Sequence, residues 1–196
     1  MCGIMGVVGK LPQKKKFEYA RDVLAHRGPD DHGVYYHREE KIALGFRRLA
    51  IIDLSSAGNQ PFFSNDERFV LVFNGEIYNY PEIKEELKDQ YDFRTKTDTE
   101  VLLASYIRWG ENCVEKFNGM FAFAIWDKKE RKLFCARDRL GIKPFFYHTD
   151  SGTFLFSSEI KSLLALGVPR IPDEHVIFDY LYYGFYDHTD SLLRFL

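Results

Sequence analysis

Apolar positions along this chain recur at two spacings, and the switches between them outline its elements. Ile4 to Gly9 is a short apolar run closed by glycine, which predicts a buried strand. From Lys14 to His26 the apolar residues Phe17, Ala20, Val23 and Leu24 share one helical face. Arg27-Gly28-Pro29-Asp30-Asp31 breaks that helix as a loop. Gly33 to His37 and Lys41 to Phe46 predict paired strands across a charged turn, and Phe69 to Phe73 a dense strand running into Asn74-Gly75. Pro81 to Gln90 reads as a helix with proline in its first turn. Thr97 and Glu100 have capping-box spacing ahead of a helix from Val101 to Trp109. Phe121–Asp127 with Lys132–Arg137, and Phe145–His148 with Phe154–Ser157, predict two hairpins. A helix from Glu159 to Leu166 follows, and then Pro169 and Pro172 mark a boundary. Residues 1–167 thus read as one domain, and 168–196 as a linker and the start of another. That tail, with Phe178, Tyr180, Leu181, Tyr182, Tyr183, Phe185 and Tyr186, is an aromatic-rich helical stretch expected to pack on something.

Helices flanking many mostly antiparallel strands make this an α+β chain. Two stacked sheets with helices outside is one layering the pattern allows, among others. A chain of 196 residues buries about 70% of its unfolded surface and needs no disulfide or metal staple. With 27 basic and 29 acidic residues, it carries no electrostatic footprint for nucleic acid or anionic membranes. No apolar run approaches the roughly 20 residues that span a bilayer, and the N-terminus lacks a signal-peptide pattern. Three cysteines, Cys2, Cys113 and Cys135, form no Cys-x-x-Cys pair, which predicts a reducing cytoplasm and no metal site.

Few residues stand out for chemistry, and each has a plain structural use as well. Removing Met1 would leave Cys2 at the chain start, joining a thiol nucleophile and a basic α-amine on one residue. Cys2 is equally a small hydrophobe in the first strand. Asn74-Gly75 is a strong hairpin-turn signal; alternatively, the Asn74 amide and the Gly75 N–H could together stabilise an oxyanion. Arg48 could grip a carboxylate through two hydrogen bonds, or simply be a solvated charge. Asp98 sits where a carboxylate complements the helix dipole, unless an α-ammonium faces it. Cys113 and Cys135 lie within apolar patterns and read as core, while Arg27 and Asp30 are uninformative singly.

The order of the motifs is more specific than any one of them. Met1-Cys2-Gly3-Ile4-x-Gly6, His26-Arg27-Gly28-Pro29-Asp30, Arg48-Leu49-Ala50-Ile51-Ile52-Asp53, Asn74-Gly75-Glu76-Ile77-Tyr78-Asn79 and Thr97-Asp98-x-Glu100-Val101 resemble the class II glutamine amidotransferases. The match continues through Gly119-Met120-Phe121-Ala122-Phe123, Arg137-Asp138-x-x-Gly141-x-Lys143-Pro144 and Phe156-Ser157-Ser158-Glu159-Ile160-Lys161. Within that family the Pro29-Asp30 ending and the Asn74–Asn79 block are most similar to the glutaminase domains of asparagine synthetases.

The resemblance implies an N-terminal nucleophile hydrolase fold, a four-layer αββα sandwich. It implies attack by Cys2 on the side-chain amide of L-glutamine, a thioester, and release of ammonia and glutamate. By matched position, Asn74 and Gly75 would stabilise the oxyanion and Arg48 would hold the α-carboxylate. Glu76 and Asp98 would hold the α-ammonium, with the Ile51 and Ile52 backbone lining the pocket. Arg27 would fall near the nucleophile. The reaction would need no cofactor. ATP and Mg would serve only a synthetase domain whose pyrophosphate loop does not occur before Leu196. The chain would be a cut-down product or a subunit passing ammonia to a synthetase partner, with a homodimer left open. A glutamine sensor without turnover, a donor to a different acceptor and a hydrolase of another amide are the competing expectations.

Overall fold

In this computed structural model, residues 1–50 and 58–185 are described. Strand β1 (Gly3–Val8) lies at the centre of a five-stranded sheet. Beside it run β3 (Ile42–Arg48) and then β2 (Asp31–His37) on one side. On the other side run β9 (Thr153–Ser157) and then β8 (Phe146–Asp150). The second sheet is ordered β4 (Phe62–Phe63), β5 (Phe69–Ile77), β6 (Gly119–Asp127), β7 (Lys132–Arg137). Every pairing in both sheets is antiparallel.

The strand period of two sorts side chains onto two faces of each sheet. Ile4, Ile42, Leu44 and Phe46 meet Val70, Val72, Ala122, Ala124 and Trp126 in one apolar layer between the sheets. The alternate residues Met5, Val7 and Ala43 pack outward on α1 (Lys14–Asp22), with α4 (Ile160–Leu166) against the same helix. Leu71, Phe73, Ile77, Phe123 and Ile125 face the other way, onto α2 (Tyr80–Leu87) and α3 (Asp98–Trp109). The result is helix, sheet, sheet, helix, the expected four layers. Each fully buried large apolar side chain contributes about 1.5–3 kcal/mol to holding them together.

One end of the intersheet layer is closed by a polar cluster. Trp126 Nε1 donates to Glu40 Oε2 at 2.6 Å and the Tyr35 hydroxyl donates to the same oxygen at 2.9 Å. The opposite end carries the pocket described below.

Several local expectations change. Helix α1 stops at Asp22 rather than His26, and turns over residues 23–27 carry the chain to Gly28. Asn74-Gly75 is no turn: both lie inside β5, paired with Ala122 and Phe121. The pairing partner, β6, extends to Gly119 and so draws β5 on to Ile77, which overrides the local turn preference. Thr97 caps α3 by accepting the Glu100 N–H at 3.4 Å, but the reciprocal half of a capping box is missing. The Glu100 carboxylate instead accepts from the backbone of Arg94 at 3.0 Å and Thr95 at 2.6 Å. Cys113 and Cys135 are core-facing as expected, and burial pushes both thiols up to about 12. The tail helix α5 (Glu174–Tyr183) buries Val176, whereas Phe178, Leu181, Tyr182 and Tyr183 are exposed. No helix among the described residues is long and apolar enough to cross a membrane.

Candidate active site

The same alternation that fills the intersheet layer delivers polar groups to its open end. Following the parity of Ile4, Cys2 points between the sheets and packs against that layer. Arg48 continues the face of Leu44 and Phe46, and Asn74 and Glu76 continue the face of Val70 and Val72. Asp98, the first residue of α3 after its Thr97 cap, approaches from the side. All five line one pocket, together with Gly75, Gln60 and Lys143. Ile51 and Ile52, the remaining expected site residues, lie outside the described residues.

Cys2 is held at both its backbone and its sulfur. Arg27 Nε donates to the Cys2 carbonyl at 3.0 Å, and Arg27 Nη1 donates to Glu159 Oε1 at 3.0 Å. Burial works to raise the Glu159 carboxyl, but hydrogen bonds from Lys161, His26 and Arg27 outweigh it and bring it to about 2. The Leu49 N–H donates to Cys2 Sγ at 3.4 Å, and the thiol donates back to the Leu49 carbonyl at 3.6 Å. Burial pushes this thiol up, while the Leu49 bond, the chain's amino terminus and Arg48 pull it back part of the way.

Across the pocket, the edge of β5 supplies donors. Strand β4 covers only Val70 and Leu71, and among the described residues no strand pairs with the outer edge beyond them. Phe121 spends its N–H and C=O on Asp138, at 3.2 and 2.8 Å, so its opposite number Gly75 is a pair without ladder bonds. The N–H groups of Phe73, Gly75 and Ile77 therefore point to the outer edge. Gln60 Oε1 accepts the first at 2.6 Å and Asp98 Oδ2 accepts the third at 3.1 Å. The Gly75 N–H lies between those two caps, beside the pocket. Asn74 Nδ2 is buried with no hydrogen-bond partner among the described residues. A lone buried amide N–H₂ is costly unless something completes it. The glycine is required by packing: a Cβ there would lie 2.4 Å from the Met120 carbonyl oxygen and 2.7 Å from Phe121 Cα.

The other groups are charged. Arg48 is buried, and its Nη1 donates to Asn59 Oδ1 at 2.6 Å. Gly58 packs directly on it, where a Cβ would meet Nη2 at 2.5 Å. Asp98 is 5% exposed, and burial raises its carboxyl to about 6 against the pull of the Ile77 and Thr99 N–H groups, with the Glu76 charge pushing the same way. Two carboxyl groups thus share one pocket.

Sequence reasoning passed over three participants. Gln60 and Asp30 act on backbone, the latter accepting the Ala50 N–H at 2.8 Å; Gln60 has no local motif that would reveal this, and Asp30 ends the His26–Asp30 motif without being given a role there. Lys143 is 6% exposed and sits within a motif already quoted for the resemblance, but without a role.

A cysteine leading the central strand, two facing antiparallel sheets and outer helices make up the four-layer αββα fold expected of the N-terminal nucleophile hydrolases. The chain belongs to the glutamine amidotransferase domain family, whose model matches residues 1–196. It is 42% identical to glutamine-hydrolyzing asparagine synthetase 1 of Bacillus subtilis, over 98% of this chain and 31% of that protein. It is 44% identical to asparagine synthetase 3 of the same organism, over 84% of this chain and 28% of that one. Amidase chry2 of Gibberella zeae is 40% identical over 79% of this chain and 23% of its own length. The chain thus spans about a third or less of these curated relatives. Among solved structures, the glutamine phosphoribosylpyrophosphate amidotransferase of B. subtilis superposes with a TM-score of 0.71 at 23% identity. That match covers 85% of this chain and 44% of the other, and it speaks for the fold alone.

Proposed function

We propose that the chain hydrolyses L-glutamine to glutamate and ammonia, and that the ammonia feeds an ATP-dependent synthetase unit making asparagine. The observation that carries the first half is the buried, partnerless Asn74 Nδ2, which lines the same pocket as the Cys2 thiol and the Gly75 N–H. Two such donors in one pocket with a thiol suit a developing oxyanion. Support for the second half is the identity to glutamine-hydrolyzing asparagine synthetases.

In this reading Met1 is first removed, converting the Cys2 amide nitrogen into an amine. The amine takes the thiol proton as Sγ attacks the glutamine Cδ, and the tetrahedral oxygen draws on Asn74 and Gly75. The proton passes to the leaving ammonia, a thioester remains, and water then releases glutamate and restores the thiol. Arg48 receives the α-carboxylate, and Glu76 with Asp98 the α-ammonium. Charge recognition at both ends of the amino acid would exclude simple amides, because a substrate lacking either group forgoes an ion pair with a buried charge.

The test is intact mass measurement with and without 6-diazo-5-oxo-norleucine, alongside ammonia release. Processed protein should gain one label and turn over glutamine. Cys2→Ala and Met1-bearing protein should do neither. Ammonia release at parental rate from protein that keeps Met1 would refute the amine mechanism. Labelling without turnover would favour a glutamine sensor.

A further inference from the structure

Lys143 is the buried charged side chain of the pocket for which this mechanism has no use. Its backbone is pinned, since its N–H donates to Asp138 Oδ2 at 3.0 Å and its carbonyl accepts Arg137 Nε at 2.7 Å. Its Nζ reaches Met1 Sδ at 3.5 Å, and that thioether is the acceptor it has among the described residues. A thioether is a weak acceptor, so it does little to offset the burial of an ammonium group. It is also the one partner that departs when Met1 is removed.

Five covalent bonds separate Met1 Sδ from the Cys2 nitrogen, which bounds the Lys143 Nζ to Cys2 nitrogen distance at about 10 Å. The other charges around that nitrogen are already engaged or opposed. Arg27 is paired with Glu159 while its Nε holds the Cys2 carbonyl, and Arg48 bonds Asn59. Glu76 and Asp98 supply negative charge from β5 and α3, and Arg137 spends its guanidinium on the Lys143 and Gly141 carbonyls.

Resting on the glutaminase reading, we propose that Lys143 is a positioning residue for the proton: its ammonium disfavours a second positive charge on the mature Cys2 α-amine and keeps that amine free to act as base. Lys143 touches neither substrate nor thiol in this role; it acts through the amine. A unit charge at about 10 Å and an effective dielectric near 20 displaces a titration by about one pH unit.

The experiment compares parent, Lys143→Met, Lys143→Gln and Lys143→Arg, each confirmed by mass to have lost Met1. The acidic limb of kcat/KM against pH reports the free-enzyme base. It should move up by about one pH unit in the Met and Gln variants and return to the parental position in Lys143→Arg. A purely structural lysine would lower activity at every pH without moving the limb. In parallel, nitrogen-15 NMR of cysteine-labelled protein follows the α-amine directly and needs no turnover. Its midpoint should rise by the same amount in the Met and Gln variants, and in the parent should fall below the ordinary α-amine range of about 7.7–8.0. Unmoved limbs and unmoved midpoints would overturn the proposal. An ordinary or raised parental midpoint would do so even if neither neutral variant folded. Absence of glutamine turnover in the parent at all pH values would instead refute the glutaminase reading and leave the NMR result standing by itself.

Discussion

Asp98 should make the protein less stable in the pH range where it would bind glutamine, and Asp98→Asn exposes that conflict. Burial, reinforced by Glu76, lifts its carboxyl from 3.8 to about 6. A raised acid binds its proton more tightly in the native state than in the unfolded one. The penalty is therefore absent below 3.8, grows as pH rises through that window, and is complete above about 6. A displacement of about two pH units, at about 1.4 kcal/mol each, costs about 3 kcal/mol at pH 8 and about 0.5 kcal/mol at pH 4. The asparagine oxygen can still accept the Ile77 N–H, so the charge is the main thing removed. Urea denaturation of both proteins at pH 4 and pH 8 isolates the effect, because other titrating groups cancel between them. The variant should gain about 2–3 kcal/mol on the parent between the two pH values. Its KM for glutamine should rise at the same time, through loss of a charged partner. If the difference in stability between variant and parent were the same at both pH values, the buried-carboxylate argument would fail.

Asn74→Ala should lower kcat by roughly 10²–10³, the usual loss for one oxyanion donor, while Arg48→Lys should act mainly on KM; steady-state kinetics with glutamine separates the two. Gly75→Ala should lower both stability and kcat, because its Cβ would be driven against the Met120 carbonyl; a thermally unshifted, active variant would show that the strand edge can yield. Ending the chain after Gly167 should cost about 3–6 kcal/mol in a denaturant titration, since it removes the buried Val168 and Val176, and should leave glutamine hydrolysis intact.

The elements were legible because the apolar runs at Ile4–Gly9 and Phe69–Phe73 and the helical spacing at Phe17 and Ala20 are strong signals, whereas the four-layer order was expected only from the resemblance. The hairpins of β6 with β7 and β8 with β9 lie within a residue or two of their expected bounds. What local pattern could not show was pairing at a distance. Asn74-Gly75 reads as a turn until β6 is laid beside it, and Glu100 reads as half a capping box until the bend at Arg94 and Thr95 claims its oxygens. Cys2, Arg48, Asn74 and Asp98 stood out as candidates beside plain structural uses, the resemblance assigned roles to them and to Glu76, and the fold brings all five to one pocket. Lys143 and Gln60 escaped notice because their value comes from what they face: a departing methionine in one case, a bare strand edge in the other.

The position of β1 has a consequence for how the protein comes into being. Though first in sequence, it is central in its sheet, and its flanks are completed by partners about 40 and 150 residues away. Ile4 exchanges hydrogen bonds with Ser158, its N–H to the serine hydroxyl at 3.0 Å and its carbonyl from the serine N–H at 2.8 Å. The Glu159 that steadies Arg27, and through it the Cys2 carbonyl, arrives one residue later. A nascent chain on the ribosome therefore carries Cys2 without the walls that surround it until Ser158 and Glu159 have been made. Such long-range closure folds slowly, but it ties the enclosure of Cys2 to the folding of the whole domain.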